Sequence, residues 1–203
     1  MSILASLLTN VVIAASPSTP LPWFTLDDYP TSAFARDWQG ATNFEMVIAP
    51  DGRPVDCKVT QSSSYPTLDR EACYIAMHRP KFRPAAADGQ STYGVYRSQV
   101  VWARPDRDQR SIQRDLGPDL AISVNQLPSG TAGSVSVKLA YLVDAQGNPS
   151  GCTALPVSGY QAAAVIDVAC KALLQQMPHQ PVSANGTNVT AVRTAAVELS
   201  TAK

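Results

Sequence analysis

GRPVDC (Gly52–Cys57) and GNPSGC (Gly147–Cys152) stand 95 positions apart, and each ends in a cysteine that meets a second one at almost the same distance, Cys73 and Cys170. The correspondence extends outward from both hexamers. Phe44, Met46 and Ile48 fall on Leu139, Tyr141 and Val143, and after a two-residue insertion Pro84, Gly89, Val95 and Val100 fall on Pro181, Gly186, Val192 and Val197. A period this long is not that of a solenoid, which repeats every 20 to 50 residues. It predicts two domains of roughly 75 to 90 residues each in a chain whose length alone allows one or two.

Domains of that size bury a limited core, so a covalent staple is a sensible supplement. The duplicated cysteines fit that role: Cys57 with Cys73, and Cys152 with Cys170, each tying a strand to a helix. Neither pair has C-x-x-C spacing, and His78 and His179 stand singly, so neither a zinc site nor a reactive dithiol is expected. No cofactor or metal is expected.

Sixteen basic and sixteen acidic residues give a net charge of zero, with no long run of one sign. Nucleic acid is therefore not an expected partner. Residues 1–20 hold an apolar run from Ile3 to Ala15, then small residues and prolines, which reads as a signal peptide (residues 1–15) cleaved after Ala14 or Ala15. The alternative is an uncleaved anchor, and contact with a membrane is expected only in that case. About 13 residues at ~1.5 Å each reach ~20 Å, short of a ~30 Å hydrocarbon core. Export agrees with cysteines paired in an oxidising compartment.

Pro30, Thr31 and Ser32 open a short helix that Gly40 ends. Residues Asn43–Ala49 alternate as a half-buried strand, and the Asp51–Gly52 turn leads into a returning strand. From Tyr65 the period changes: Leu68, Ala72, Ile75, Ala76 and Arg79 share a helical face, with Ser64 or Thr67 as caps and Pro80 as the stop. Tyr93–Trp102 is a third strand, with Tyr96, Ser98, Val100 and Trp102 on one face and Val95, Arg97, Gln99 and Val101 on the other. Arg104–Pro118 reads as a solvated linker with a helical turn. The second copy repeats the order, with a strand over Val135–Val143, a helix from Tyr160 to Met177 and a last strand over Val189–Leu199.

No catalytic constellation emerges. Asp69 and Glu71 are two apart on a helix and do not face each other, Ser62–Ser64 lies in no nucleophile motif, and there is no G-x-S-x-G. An enzyme is not expected.

The stretch YPTSA (Tyr29–Ala33), Gly40, the run APDGRPVDCKVTQSS and then LDREACYIAMHRPKFRPA resembles the C-terminal domain of the TonB family. Asp119–Leu199 keeps the GNP turn and the helix but lacks the Tyr-Pro pair, and has PHQP where the first copy has KFRP. The resemblance implies an α+β fold of two tandem domains, each a three-stranded antiparallel sheet with two helices on one face. These span residues 21–104 and, more divergently, 119–203, with a polar linker at 105–118. It also implies a periplasmic protein of the Gram-negative envelope whose partner is an outer-membrane receptor or another envelope protein. In the family a receptor segment adds as a strand beside an exposed edge. The long membrane helix and long Pro-rich spacer of the family have no counterpart here, so energy transduction is not implied.

A three-stranded sheet has two edges, and an uncovered edge recruits a partner strand or is masked by self-association. Tyr93–Trp102 is the expected docking edge, with Val95, Arg97, Gln99 and Val101 flanking the partner and Asp28 and Tyr29 nearby by resemblance. Val189–Leu199 is the expected edge for a homodimer. The alternative function is an envelope protein that uses the fold only for structural contacts or self-association.

Overall fold

The computed structural model describes residues 11–20, 22–127, 133–156 and 162–201. Residues 1–10 of the expected export segment, and residues 160 and 161 at the start of the expected second long helix, lie outside the described residues.

The repeated hexamers are explained by a turn. β3 (Gly40–Ile48) and β4 (Pro54–Gln61) form an antiparallel hairpin, as do β9 (Ser134–Val143) and β10 (Pro149–Ala154). In each, one more pair beyond the ladder (Ala49 N–H to Arg53 O, 2.9 Å; Asp144 N–H to Asn148 O, 3.0 Å) leaves a three-residue loop, closed by Gly52 N–H to Ala49 O (2.9 Å) or Gly147 N–H to Asp144 O (3.0 Å). Both glycines are left-handed, with φ of +84° and +92°, as the bulge position of this hairpin type requires. Both also lie against the segment after the following helix. A Cβ on Gly52 would run into the Phe82 carbonyl oxygen, and one on Gly147 would lie 3.0 Å from Pro181 Cδ. The shared Gly and Pro therefore mark one close approach, made twice.

Each hairpin leads into a long helix, α2 (Pro66–His78) and α3 (Ala163–Gln176). α2 buries Leu68, Ala72, Ile75 and Ala76, the face expected from periodicity; α3 buries Val165, Ala169, Ala172 and Leu173. Neither expected cap of α2 is used. Pro66 occupies the first turn, and the Asp69 carboxylate instead accepts from Ser62 Oγ and Ser63 N of the preceding loop and from Thr42 Oγ1 of β3. Both expected disulfides are present, Cys57–Cys73 and Cys152–Cys170, with Cα atoms 5.6 and 5.8 Å apart. Each ties the hairpin's second strand to the helix that follows. The short α1 (Thr31–Ala35) precedes the first hairpin.

The third strands, β7 (Gln90–Trp102) and β13 (Ala191–Thr201), pair with β3 and β9 in long antiparallel ladders. The fold is thus α+β, with few helices and large sheets. The strands do not form two separate three-stranded sheets, because β7 and β13 also pair with each other, in parallel, at Tyr93↔Ala191 and Gly94↔Val192. That contact, with β1 (Val12–Ile13), β6 (Ala85–Ala87) and β8 (Leu120–Val124), makes one nine-stranded sheet.

Packing across this junction is reciprocal. β11 (Val182–Ala184), hairpinned to β12 (Thr187–Val189), buries Val182 and Ala184 with Val47 and Val95 of the first block. In return, Ala85 of β6 and Val12 and Ala15 of the N-terminal segment share a core cluster with Ala140, Leu142 and Val192 of the second block. Val12 and Ile13 of the expected export segment therefore join this sheet, and Ser16 and Pro17 just beyond that segment form a separate two-stranded one. β1 pairs with β6, and β2 (Ser16–Pro17) pairs with β5 (Phe82–Arg83). No helix among the described residues is long and apolar enough to cross a membrane.

The expected self-association edge requires correction. β13 carries β9 along one side; its other side meets β7 at Ala191–Val192 and β8 in parallel from Val197 to Thr201. Between these two, Asp119 pairs with Ala196 through N–H to Ala196 O (2.8 Å) and Ala196 N–H to Oδ2 (2.7 Å). The residues just beyond the linker, Leu120–Val124, supply this covering strand.

Candidate functional site, the open edge of β7

β7 is paired with β3 from Gly94 to Trp102 on one side. β6 pairs with β7 over Gln90–Thr92, β13 meets it opposite β3 at Tyr93–Gly94, and beyond Gly94 no described strand joins that second side. The residues that diverge from β13 leave an edge with main-chain groups directed at no neighbouring strand.

Beside that edge, from Ser98 to Ala103, lies a cleft of about 410 Å³. Its other lining is the segment Pro22–Leu26 with Tyr29, together with Gln109. Aromatic packing holds this wall: Phe24 meets Trp102 edge-on at 6.0 Å, Tyr29 meets Trp102 at 5.7 Å, and Trp23 lies 5.8 Å from Tyr96. Leu26, 52% exposed, leaves apolar surface at the rim.

The six residues expected to meet a partner fall into different places. Asp28 and Tyr29 support the wall. Asp28 accepts both guanidinium nitrogens of Arg79 (2.6 Å at Oδ2) and the Thr25 N–H (2.7 Å), while Arg79 also donates to Trp23 O (2.9 Å). The Arg79 guanidinium holds the Asp28 carboxyl below the usual carboxylate range, against the opposing effect of burial. Tyr29 is buried, with its hydroxyl donated to Trp38 O.

Val95 is buried in the cluster with Val47, Val182 and Ala184, under the second block. Arg97 forks onto Asp119, its Nη2 2.6 Å from Oδ2, and reaches Thr194 O at 3.3 Å. Burial pushes Asp119 up, but the Arg97 guanidinium and the Ala196 N–H outweigh it and leave that carboxyl low. Only Gln99 and Val101 lie along the open stretch, and Gln99 is already engaged with Asn43 Oδ1 (2.6 Å) and with the backbone of Arg114.

Sequence reasoning missed the residues that build the cleft wall, Phe24 and Leu26 above all, and missed Arg114 and Asp119. Their signal was present but ambiguous: mixed Arg and Asp in a Pro- and Gly-bearing stretch reads as solvated when no partner is in view. The described residues hold no group of three His, Cys, Asp or Glu side chains that could bind a metal.

Neither the curated proteins nor the solved structures yield a match to the chain. Residues 27–103, which carry Asp28, Tyr29, the first hairpin, α2 and all of β7, match the family model of the Gram-negative bacterial TonB protein C-terminal.

Proposed function

We propose that the chain is a periplasmic binding module of the Gram-negative envelope whose first block docks an extended partner segment by strand addition along β7. The observation that carries this reading is the one-sided pairing of β7 from Ser98 to Trp102 beside a cleft of about 410 Å³. The family match supports it, because TonB C-terminal domains are periplasmic modules that engage outer-membrane receptors and are not enzymes. The receptor of a TonB-dependent transport system is the partner this reading favours. Gln99 and Val101 flank the added strand, Leu26 and Thr25 contact its outer side, and Asp28 and Tyr29 hold the wall in place.

The second block, 119–203, is read as a divergent duplicate of 21–104. Support comes from the matching hairpin turns, the Gly-to-Pro approach and the equivalent disulfides. A second functional reading, an envelope structural protein with no role in energy transduction, draws on one observation: β13 already meets β7 at Tyr93–Gly94, so part of the candidate edge is spent within the chain.

A photoreactive residue at Val101, in the chain expressed in its native envelope, separates the two. Strand docking gives a cross-link to an outer-membrane receptor from Val101 and none from Tyr74, which is 61% exposed on α2. Cross-links from neither position reject docking on this edge.

A further inference from the structure

We propose that residues 104–119 form an intramolecular strap along the open edge of β7, and that docking requires the strap to move aside. The inference rests on the docking reading above and concerns its regulation.

The linker is anchored at points spread along its length. At its start, Arg104 and Arg107 approach the two carboxylate oxygens of Asp37 at 3.8 and 3.5 Å. In the middle, the turn at Gln109–Ser111 brings Gln109 into the lining of the cleft. Further on, the Gln99 carboxamide donates to Arg114 O (3.2 Å) and accepts from Arg114 N–H (3.4 Å), while the Arg114 guanidinium donates to Ser62 O (3.0 Å). At its end, Asp119 is clamped between Arg97 and Ala196.

The Gln99–Arg114 contact is the informative one. A carboxamide offers a donor and an acceptor in one plane, as a peptide group does. Here that side chain, and not the main chain of β7, satisfies the strap's backbone. The strap is held beside the edge without consuming the main-chain groups that a partner strand would use. A strand added from Ser98 to Trp102 would have to displace Gln109, which lines the cleft beside those residues. The anchors near the cleft are exposed ion pairs and long hydrogen bonds, each individually weak. The firm anchor, Asp119, lies beyond them at the β13 side and would act as the hinge end that stays in place.

If the released state is a minor fraction of the population, the apparent affinity for any partner is reduced by that fraction. Loosening the strap then strengthens docking without altering a single docking residue.

The test uses the full chain and a release variant, Arg104→Ala/Arg107→Ala/Arg114→Pro, which leaves β7, the cleft wall and Asp119 untouched. Two readouts are taken: amide hydrogen exchange over Ser98–Trp102, and the yield of the Val101 photo-cross-link in the envelope. The expected result is exchange on the order of tenfold faster over Ser98–Trp102 and a cross-link yield raised about threefold or more. Arg114→Ala alone, which removes only the Ser62 contact, should move both readouts in the same direction by less. It serves if the triple variant fails to fold. Unchanged exchange overturns the strap. Faster exchange with equal cross-link yields overturns the gate while leaving the docking reading intact, whereas no cross-link from Val101 in any chain overturns the docking reading and the gate with it.

Discussion

Replacing Gly94 by alanine should destabilise the whole chain, because this glycine sits where three segments converge. It is buried on β7, opposite Ile48 of β3 and bridged in parallel to Val192 of β13. A Cβ at Gly94 would lie 2.8 Å from the Cβ atoms of both Ala15 and Ala85. Two carbons sit comfortably at about 3.5–4.0 Å, so a shift of roughly 1 Å is needed. Neither neighbour has a rotamer to change, since an alanine methyl moves only with its backbone.

Overpacking of this kind costs about 1–3 kcal/mol. For a chain of this length each kcal/mol lowers the melting temperature by roughly 2–4 °C, so a fall of about 2–12 °C is expected in a thermal melt of the oxidised chain. The N-terminal segment should yield first. β1 is two residues long and β6 three, against thirteen for β7. Limited proteolysis of Gly94→Ala should therefore cut within residues 11–20 before any other site. Adding Ala15→Gly and Ala85→Gly removes both clashing methyls and should recover most of the loss, less the cost of two further glycines. A single variant that melts within about 1 °C of the parent, or a triple variant no better than the single, would refute the packing account of the junction.

Removing either disulfide, by Cys57→Ser/Cys73→Ser or Cys152→Ser/Cys170→Ser, should cost on the order of 3 kcal/mol, since the two bridges span similar separations of 16 and 18 residues; denaturant unfolding measures it. Gly52→Ala and Gly147→Ala should both destabilise by roughly 1–2 kcal/mol from left-handed strain alone. Gly52→Ala should be the worse, because it meets a fixed carbonyl where Gly147→Ala meets a proline ring edge. Asp28 and Asp119 are both held below the usual carboxylate range when folded. Their contribution is therefore present at neutral pH and lost as pH falls below the ordinary aspartate value of ~3.9 through the lower folded ones. Asp28→Asn and Asp119→Asn should each flatten the acid limb of stability against pH, and an unchanged limb would remove that carboxylate from the linkage.

Local chemistry was legible in the residues themselves. Alternation at Phe44, Met46 and Ile48, the helical face of Leu68, Ala72, Ile75 and Ala76, the left-handed glycines of the two turns and the duplicated cysteines are all set by neighbours a few positions away or by spacings kept in both copies. What the tertiary structure alone decided is which edges stay open. Whether Arg97 faces solvent or Asp119, whether Val95 flanks a partner or lies under β11, and whether Val12 and Ala15 leave the chain's core or fill it depend on residues about 20 to 180 positions away. A strand's periodicity states which side chains share a face, but its unpaired main-chain groups are identical in every sequence. Only the arrival of β8, β9 and β7 along β13 determined that β13 is paired on both sides and that Ser98–Trp102 of β7 meets no strand on its outer side.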